Sequence, residues 1–176
     1  MGGPCLLVTS AGQRVLGPSV TDNFFIRAFS FRGALYHSVE HAFQALKFQQ
    51  GSPLFTEISA LKPADGETDK EFGLRVWRAG QQGERRADWE TIKVQMMLDL
   101  VRARTRQHED LCAQLLATGT VTIEGAPSTG WHHGGRAWNW GYFNGLIMGL
   151  VRAELAREEA LQEELKTKLE AYANGA

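Results

Sequence analysis

Residues 89–105 constrain the fold most, because their apolar positions repeat at the spacing of an α-helix. At about 100° per residue, Trp89, Met96 and Leu100 fall on one narrow face, and polar residues fill the opposite face. Asp88 directly precedes this run and is predicted to cap the helix. Since a helix with one apolar face must bury that face, the pattern predicts a core built largely from helices.

The other patterns predict a chain of the α+β class that is mainly α, with a few short strands. Ser38 is predicted to cap a helix that ends near residue 51. Further helices are expected over about 67–80, 108–117 and 144–172, and short strands at 5–8 and 121–123. Residues 125–142, rich in glycine, tryptophan and histidine, are expected to form a long loop. We expect a single domain over residues 1–176, with its core at about 20–155.

Composition excludes several classes of protein. The 176 residues suffice for a core without disulfides, and the net charge of −1 gives no global attraction to nucleic acid. A local attraction is open, because residues 75–106 carry eight basic and four acidic side chains. The two cysteines form no redox or metal motif. No signal peptide or membrane-length apolar run is present, so we expect a cytoplasmic protein without a membrane partner.

Lys93 lies near the middle of the apolar face of the predicted helix over 89–105. Burial disfavours an ammonium group, so the pKa of Lys93 should fall and its free amine should be available as a nucleophile or base. The alternative is a lysine that extends to solvent or pairs with a carboxylate. Periodicity alone leaves both interpretations open.

Glu40, Gln44 and Lys47 are spaced four and three residues apart, which puts them on one helical stripe beside apolar neighbours. We expect this trio at the edge of the buried region, as the lining of a cleft. Glu40 would then suit a general acid or base, or would orient a ribose hydroxyl. Alternatively, a glutamate in the first turn simply favours the helix dipole.

The loop over 125–142 offers groups for an anionic or aromatic ligand. Trp131 and Trp138 suit stacking on a base, although packing in the core is the commoner use of tryptophan. Gly134 would let backbone N–H groups approach a pyrophosphate, beside His132 and Arg136. No histidine or cysteine spacing matches a zinc site, so we expect neither a metal nor a cofactor.

Three motifs resemble the NADAR family, also called YbiA-like N-glycosidases. The family shows a Ser-Asn-Phe element, then Glu-His-x-Phe-Gln-Ala-x-Lys-Phe, then Arg-x-(Asp/Asn)-Trp-x-x-x-Lys-x-x-x-Met. Here the matches are Asn23 with Phe24, residues 40–48 and residues 86–97, in the family's order. Two departures follow. Ser128 stands where the family has an acid, and Tyr142 stands in place of an asparagine, with Asn139 and Asn144 as candidate substitutes.

The resemblance implies a mainly α fold that hydrolyses N-glycosides of ribose. It implies that Lys93 attacks the anomeric carbon to form a lysine–ribose imine, with Glu40 as the catalytic carboxylate and Trp89 as a wall of the ribose site. The substrate contacts expected with these residues are Trp89, Asn23, His41, Gln44, Lys47, Arg86, Trp131, His132, Gly134, Arg136 and Trp138. Lys47 stays open as an alternative nucleophile.

Known substrates of the family leave two choices, ADP-ribosyl-guanine and phosphoribosyl-aminopyrimidine intermediates of the riboflavin pathway. Arg136 and the loop histidines suit a pyrophosphate, so we expect an ADP-ribose-containing small molecule or ADP-ribosylated nucleic acid as partner. The loss of the acid at Ser128 motivates a different class, a non-catalytic module that binds NAD or ADP-ribose. Retention of Glu40 and Lys93 argues against that class.

Overall fold

The computed structural model describes residues 3–173, over which the chain is mainly α-helical. The α-helices found there are α1 (Val39–Leu46), α2 (Pro53–Ser59), α3 (Asp69–Ala79), α4 (Trp89–Arg106), α5 (Glu109–Leu116), α6 (Trp140–Ala156) and α7 (Glu159–Ala173). The strands are β1 (Leu6–Val8), β2 (Arg14–Leu16), β3 (Phe29–Phe31), β4 (Ala34–Tyr36), β5 (Thr122–Glu124), β6 (Gly130–His133) and β7 (Arg136–Asn139). A 3₁₀ helix spans Ser19–Thr21. The predicted fold class, mainly α with a few short strands, is confirmed.

Contacts divide the described residues into two compact units. The central unit comprises residues 23–107, and the terminal unit comprises residues 3–22 and 108–173. The central unit holds α1 to α4 and the antiparallel pair β3–β4. The terminal unit holds α5 to α7, an antiparallel sheet in the order β2-β1-β5 and the hairpin β6–β7. The single domain expected over residues 1–176 stays a prediction.

Helix α1 lies at the centre of the central unit, packed against α2, α3 and α4, and all eight of its residues are buried. Ser38 caps it as predicted, because its Oγ accepts the His41 N–H at 3.1 Å. The Asn23 carbonyl accepts the Glu40 N–H at 2.9 Å. The helix ends at Leu46 rather than near residue 51, since Ser52 caps the separate helix α2, which has a proline in its first turn.

Helix α4 buries the stripe that periodicity predicted, including Met96 and Leu100. Asp88 holds the N-cap position, but the prediction that its side chain caps the helix is wrong. The Asp88 carboxylate instead accepts two hydrogen bonds from Arg86, at 2.5 and 2.8 Å. Both carboxylate oxygens of Asp88 thus bind the guanidinium of Arg86 in a bidentate pair.

The prediction of a long loop over 125–142 is wrong, because most of these residues form the hairpin β6–β7. Trp131 pairs with Trp138 and His133 with Arg136. Gly134 and Gly135 have φ of 58° and 75°, and the tight turn of a two-residue hairpin needs positive φ at both positions. Asn139 then caps α6, its Oδ1 accepting the Tyr142 N–H at 2.8 Å.

The single long helix expected over 144–172 is also wrong. Helix α6 begins earlier, at Trp140, and ends where Arg157 adopts a left-handed conformation with φ of 60°. The Glu158 N–H donates to the Ala153 carbonyl at 2.9 Å, which closes this turn. Helix α7 then packs against α6. Among the described residues, no helix has the length and apolar character that crossing a membrane requires.

Candidate functional site

A chain of hydrogen bonds joins the predicted trio on α1. Gln44 Nε2 donates to Glu40 Oε1 at 2.6 Å, and Lys47 Nζ donates to Gln44 Oε1 at 2.7 Å. Lys47 Nζ also donates to the Gly80 carbonyl at 2.7 Å. The shared stripe is confirmed, but its expected place at the edge of the core is wrong. Glu40 and Gln44 are fully buried and Lys47 is only 5% exposed, because α2, α3 and α4 surround α1.

The ammonium group of Lys47 loses its proton more readily than that of an exposed lysine. Burial lowers the pKa of Lys47 to about 8, and the positive charges of Arg85 and Lys93 act in the same direction. The negative charges of Glu40 and Glu90 act in the opposite direction. Lys47 therefore shares one electrostatic cluster with groups carried by α1, by α4 and by the segment that precedes α4.

Lys93 is buried on α4, with 5% of its surface exposed, and its Nζ donates a hydrogen bond to Glu90. Burial lowers the pKa of Lys93, and Arg85 adds to that effect, whereas Glu90 opposes it. The Glu90 side chain is 45% exposed, so the amine lies where the core meets solvent. Both sequence interpretations are thus realised, since Lys93 is buried and also pairs with a carboxylate.

Trp89 and Arg86 flank the start of α4. Trp89 is 3% exposed, and its ring packs on Phe43 with 4.8 Å between ring centroids. Arg86 pairs with Asp88, and the Arg86 guanidinium holds the pKa of that carboxyl below its usual range. The Arg86 backbone N–H donates to the Lys47 carbonyl at 2.9 Å. This bond ties the segment before α4 to the end of α1.

Asn23 and His41 are held by the protein interior. The amide nitrogen of Asn23 contacts the Met97 sulfur at 3.6 Å. His41 Nδ1 accepts the His37 N–H at 3.1 Å, and Nε2 lies 2.8 Å from the Ile58 carbonyl, which requires a proton on Nε2. Burial lowers the pKa of His41 to about 4. Both ring nitrogens of His41 therefore bind backbone, which makes its position here a structural one.

The other five predicted contacts belong to the terminal unit, on the hairpin β6–β7. Trp131 packs on Trp140 at 4.9 Å and donates from Nε1 to the Tyr172 hydroxyl at 3.2 Å. Trp138 donates from Nε1 to the His133 carbonyl at 3.1 Å. The tryptophans thus take part in an aromatic cluster, as the core-packing interpretation expected. His132, Gly134 and Arg136 are exposed on the hairpin.

Sequence reasoning missed a groove of about 650 Å³ in the terminal unit, formed by β5, α6 and α7. None of the predicted site residues lines it. Its signal in the sequence is a glycine at every fourth position of α6, at 141, 145 and 149. A Cβ at Gly145 would lie 2.6 Å from the Ile123 carbonyl oxygen, so this glycine serves the close packing of α6 against β5.

Comparisons with known proteins agree with the motifs. The fold is similar to the NMR structure of the E. coli protein YbiA, with a TM-score of 0.62 and 26% identity over 80% of each chain. A riboflavin biosynthesis protein of Vibrio vulnificus is 30% identical over 102 residues, which are 58% of this chain. The match spans about a quarter of that curated relative's length, 26%. No established family model matches the sequence.

The fold and the buried cluster of α1 and α4 define a mainly α protein of the YbiA type. The chain resembles the YbiA-like family, also called NADAR, in its fold and in the motifs carried by α1 and α4. That family is associated with glycosidase activity on N-glycosyl bonds. Among residues 3–173, no group of three or more His, Cys, Asp or Glu side chains is arranged to hold a metal ion.

Proposed function

We propose that this protein hydrolyses the N-glycosidic bond between a ribose and its base in ADP-ribosylated substrates, releasing ADP-ribose. The substrate would be ADP-ribosyl-guanine in a nucleic acid or a nucleotide. The observation that carries the proposal is Lys93, a buried lysine whose pKa is lowered by burial and whose amine pairs with the half-exposed Glu90. Amines tuned in this way are typical of nucleophilic lysines.

The Lys93 amine would attack C1 of the ribose, so that a C–N bond to the enzyme forms as the bond to the base breaks. The departing base takes up the proton that the Lys93 amine loses, and the Glu40 carboxylate is suited to accept that proton and pass it on. The sugar ring opens to a lysine–ribose imine. Water then adds to C1, the bond to Lys93 breaks, and the free amine returns with release of the sugar.

Exposed groups on the hairpin β6–β7 support a substrate that carries a pyrophosphate. Arg136 and His132 are exposed there, and arginine suits bidentate contact with phosphate oxygens. The partners proposed are therefore an ADP-ribose-containing small molecule or an ADP-ribosylated nucleic acid. We place the protein in the cytoplasm as part of the same proposal.

The test is mass spectrometry of an ADP-ribosylated guanine oligonucleotide incubated with the wild type, Lys93→Ala and Glu40→Gln. We expect the wild type to release ADP-ribose and each variant to lose about 10²-fold or more in rate. Lys62→Ala, which removes an exposed lysine, should keep the wild-type rate. Near-full activity of Lys93→Ala would contradict the mechanism, and tight ligand binding without turnover would favour a binding module.

A reductive trap separates the two candidate nucleophiles. Borohydride added during turnover converts an imine to a stable secondary amine, which marks the attacking lysine with the sugar. We expect the marked peptide to contain Lys93. A mark on Lys47 instead would move the nucleophile to α1, where the Lys47 amine also has a lowered pKa.

A second substrate is favoured by the likeness to the Vibrio vulnificus protein, whose name places that protein in riboflavin biosynthesis. The same chemistry would then act on a phosphoribosyl-aminopyrimidine. The discriminating measurement compares cleavage of substrates with and without the adenosine half of ADP-ribose. Equal rates on both would favour the phosphoribosyl substrate.

A further inference from the structure

We propose that Lys47 is a positioning residue for Glu40, acting through Gln44 to keep Glu40 Oε1 a hydrogen-bond acceptor. The inference deepens the proposed function and rests on it only for the chemistry assigned to Glu40. The hydrogen bonds along α1 all run in one direction, with Lys47 donating to Gln44 and Gln44 donating to Glu40.

The direction is set at the lysine end. An ammonium group donates hydrogen bonds and accepts none, so whatever faces Lys47 Nζ must be an acceptor. Its two acceptors are Gln44 Oε1 and the Gly80 carbonyl, each at 2.7 Å. The amide of Gln44 therefore has to turn its oxygen towards Lys47.

The amide then carries that direction to Glu40. With its oxygen committed to Lys47, Gln44 presents its NH₂ group at the other end, 2.6 Å from Glu40 Oε1. An amide N–H needs an acceptor, so a proton on this carboxyl oxygen would set two donors against each other. Because Gln44 is fully buried, water is excluded from repairing such a clash. Lys47 thus favours the ionised form of a carboxylate two hydrogen bonds away.

Gly80 leaves the space in which the Gln44 amide lies. A Cβ at this position would lie 2.0 Å from Gln44 Oε1 and 2.8 Å from Gln44 Cδ, distances at which atoms cannot coexist. The Gly80 carbonyl meanwhile anchors Lys47. The residue after α3 therefore supplies both the space for the Gln44 amide and a fixed point for the lysine.

Other charges surround the chain of hydrogen bonds. Arg85 and Lys93 act against the charge of Lys47, while Glu40 and Glu90 support it. On α1 itself, His41 binds the Ile58 carbonyl of α2 rather than the trio. Arg85, Lys93 and Glu90 act on Lys47 through charge alone, so these three groups do not fix the direction of the Gln44 amide.

The test is an NMR titration of the Glu40 side-chain carboxyl carbon and the Gln44 side-chain NH₂ group, in the full-length protein and without substrate. In Lys47→Met the Gln44 amide is released to rotate, so we expect the Glu40 titration midpoint to move to higher pH. The Gln44 NH₂ protons should also exchange faster. Lys62→Met, at an exposed lysine, is the matched control and should leave both signals as in the wild type.

An unchanged Glu40 midpoint in folded Lys47→Met would overturn the inference. If that variant does not fold, Gly80→Ala decides, because its methyl group displaces the amide while Lys47 remains, and it should raise the Glu40 midpoint as well. In the pH profile of turnover, the apparent pKa that reports Glu40 should also move to higher pH in Lys47→Met. A wild type without turnover would refute the proposed function, whereas the titration would still decide the role of Lys47.

Discussion

At the residue scale, the pairing of Lys93 with Glu90 predicts how the reactivity of the amine depends on pH. Glu90 acts against the burial that lowers the pKa of Lys93, so Glu90→Gln should lower that pKa further. The pH at which Lys93 becomes half-reactive towards an amine-modifying reagent should therefore fall. Peptide mass spectrometry of labelling at a series of pH values measures it.

The control for this experiment is Glu57→Gln, which neutralises an exposed glutamate on α2. Its Lys93 labelling curve should match the wild type. A Lys93 midpoint that rises in Glu90→Gln, or does not move, would show that Glu90 does not stabilise the ammonium form. Labelling of Lys62 in every sample reports the behaviour of an exposed lysine.

The positions of some site residues could be predicted from the sequence, and the burial and contacts of others could not. The position of Lys93 on the apolar stripe followed from helical periodicity, which does not depend on the rest of the fold, whereas its burial was one of two interpretations left open. The complete burial of Glu40 and Gln44 did not follow, since it depends on three other helices packed around α1. The hydrogen bond of His41 Nε2 to the Ile58 carbonyl depends on α2, which the sequence patterns did not predict.

At the scale of elements, α6 offers a matched pair of glycines for a stability test. A methyl group at Gly145 would meet the Ile123 carbonyl oxygen at 2.6 Å, whereas one at Gly149 would meet only Leu165 Cδ1 at 3.5 Å. Gly149→Ala should raise the free energy of unfolding by about 0.5–1 kcal/mol, through helix propensity. Gly145→Ala should lower it by about 1–3 kcal/mol, because β5 must shift.

Urea unfolding of the two variants and the wild type measures both changes. Equal effects would mean that α6 does not approach β5 as closely as the structure has it. The comparison is internal to one helix, so differences in composition or secondary structure do not enter. The opposite signs are what distinguish close packing from helix propensity.

A helix was predicted accurately where capping residues in the sequence mark its first and last turns. Helix α3 has the capping pair of Thr68 and Glu71, and was expected close to its observed bounds. The hairpin β6–β7 also had a local signal, two glycines flanked by residues that pair across the strands, which the length of the glycine-rich segment obscured. The break at Arg157 had none, because a left-handed arginine replaces the usual glycine.

At the scale of the whole molecule, the mainly α class was accessible from the sequence because helical periodicity is local. Short strands were expected at 5–8 and 121–123, where β1 and β5 lie, but β2 was not, because its three residues offer too little alternation to detect. The division into units depends on β1 pairing with β5, which brings residues 6–8 to residues 122–124. Such long-range pairing leaves no trace in a local pattern.

The stability of the whole protein should fall between pH 6.5 and 5 because of one buried histidine. The pKa of His41 is about 4 in the folded state, where burial disfavours its charge, against 6.5 for an unperturbed histidine. In this interval the unfolded chain binds a proton that the folded chain does not, so acidification favours unfolding. The full effect, reached near pH 4, is about 3 kcal/mol at roughly 1.4 kcal/mol per pKa unit.

Urea unfolding of wild type, His41→Gln and His132→Gln at several pH values checks this expectation. His132 is exposed, so His132→Gln should keep the wild-type slope, and His41→Gln should flatten it. His37, whose pKa burial also lowers, leaves a residual slope of the same sign in every variant. The carboxylates are the same in all three proteins, so the difference in slope between the two variants is assigned to His41. Equal slopes in all three proteins would mean that His41 is protonated as readily in the folded chain as in the unfolded one.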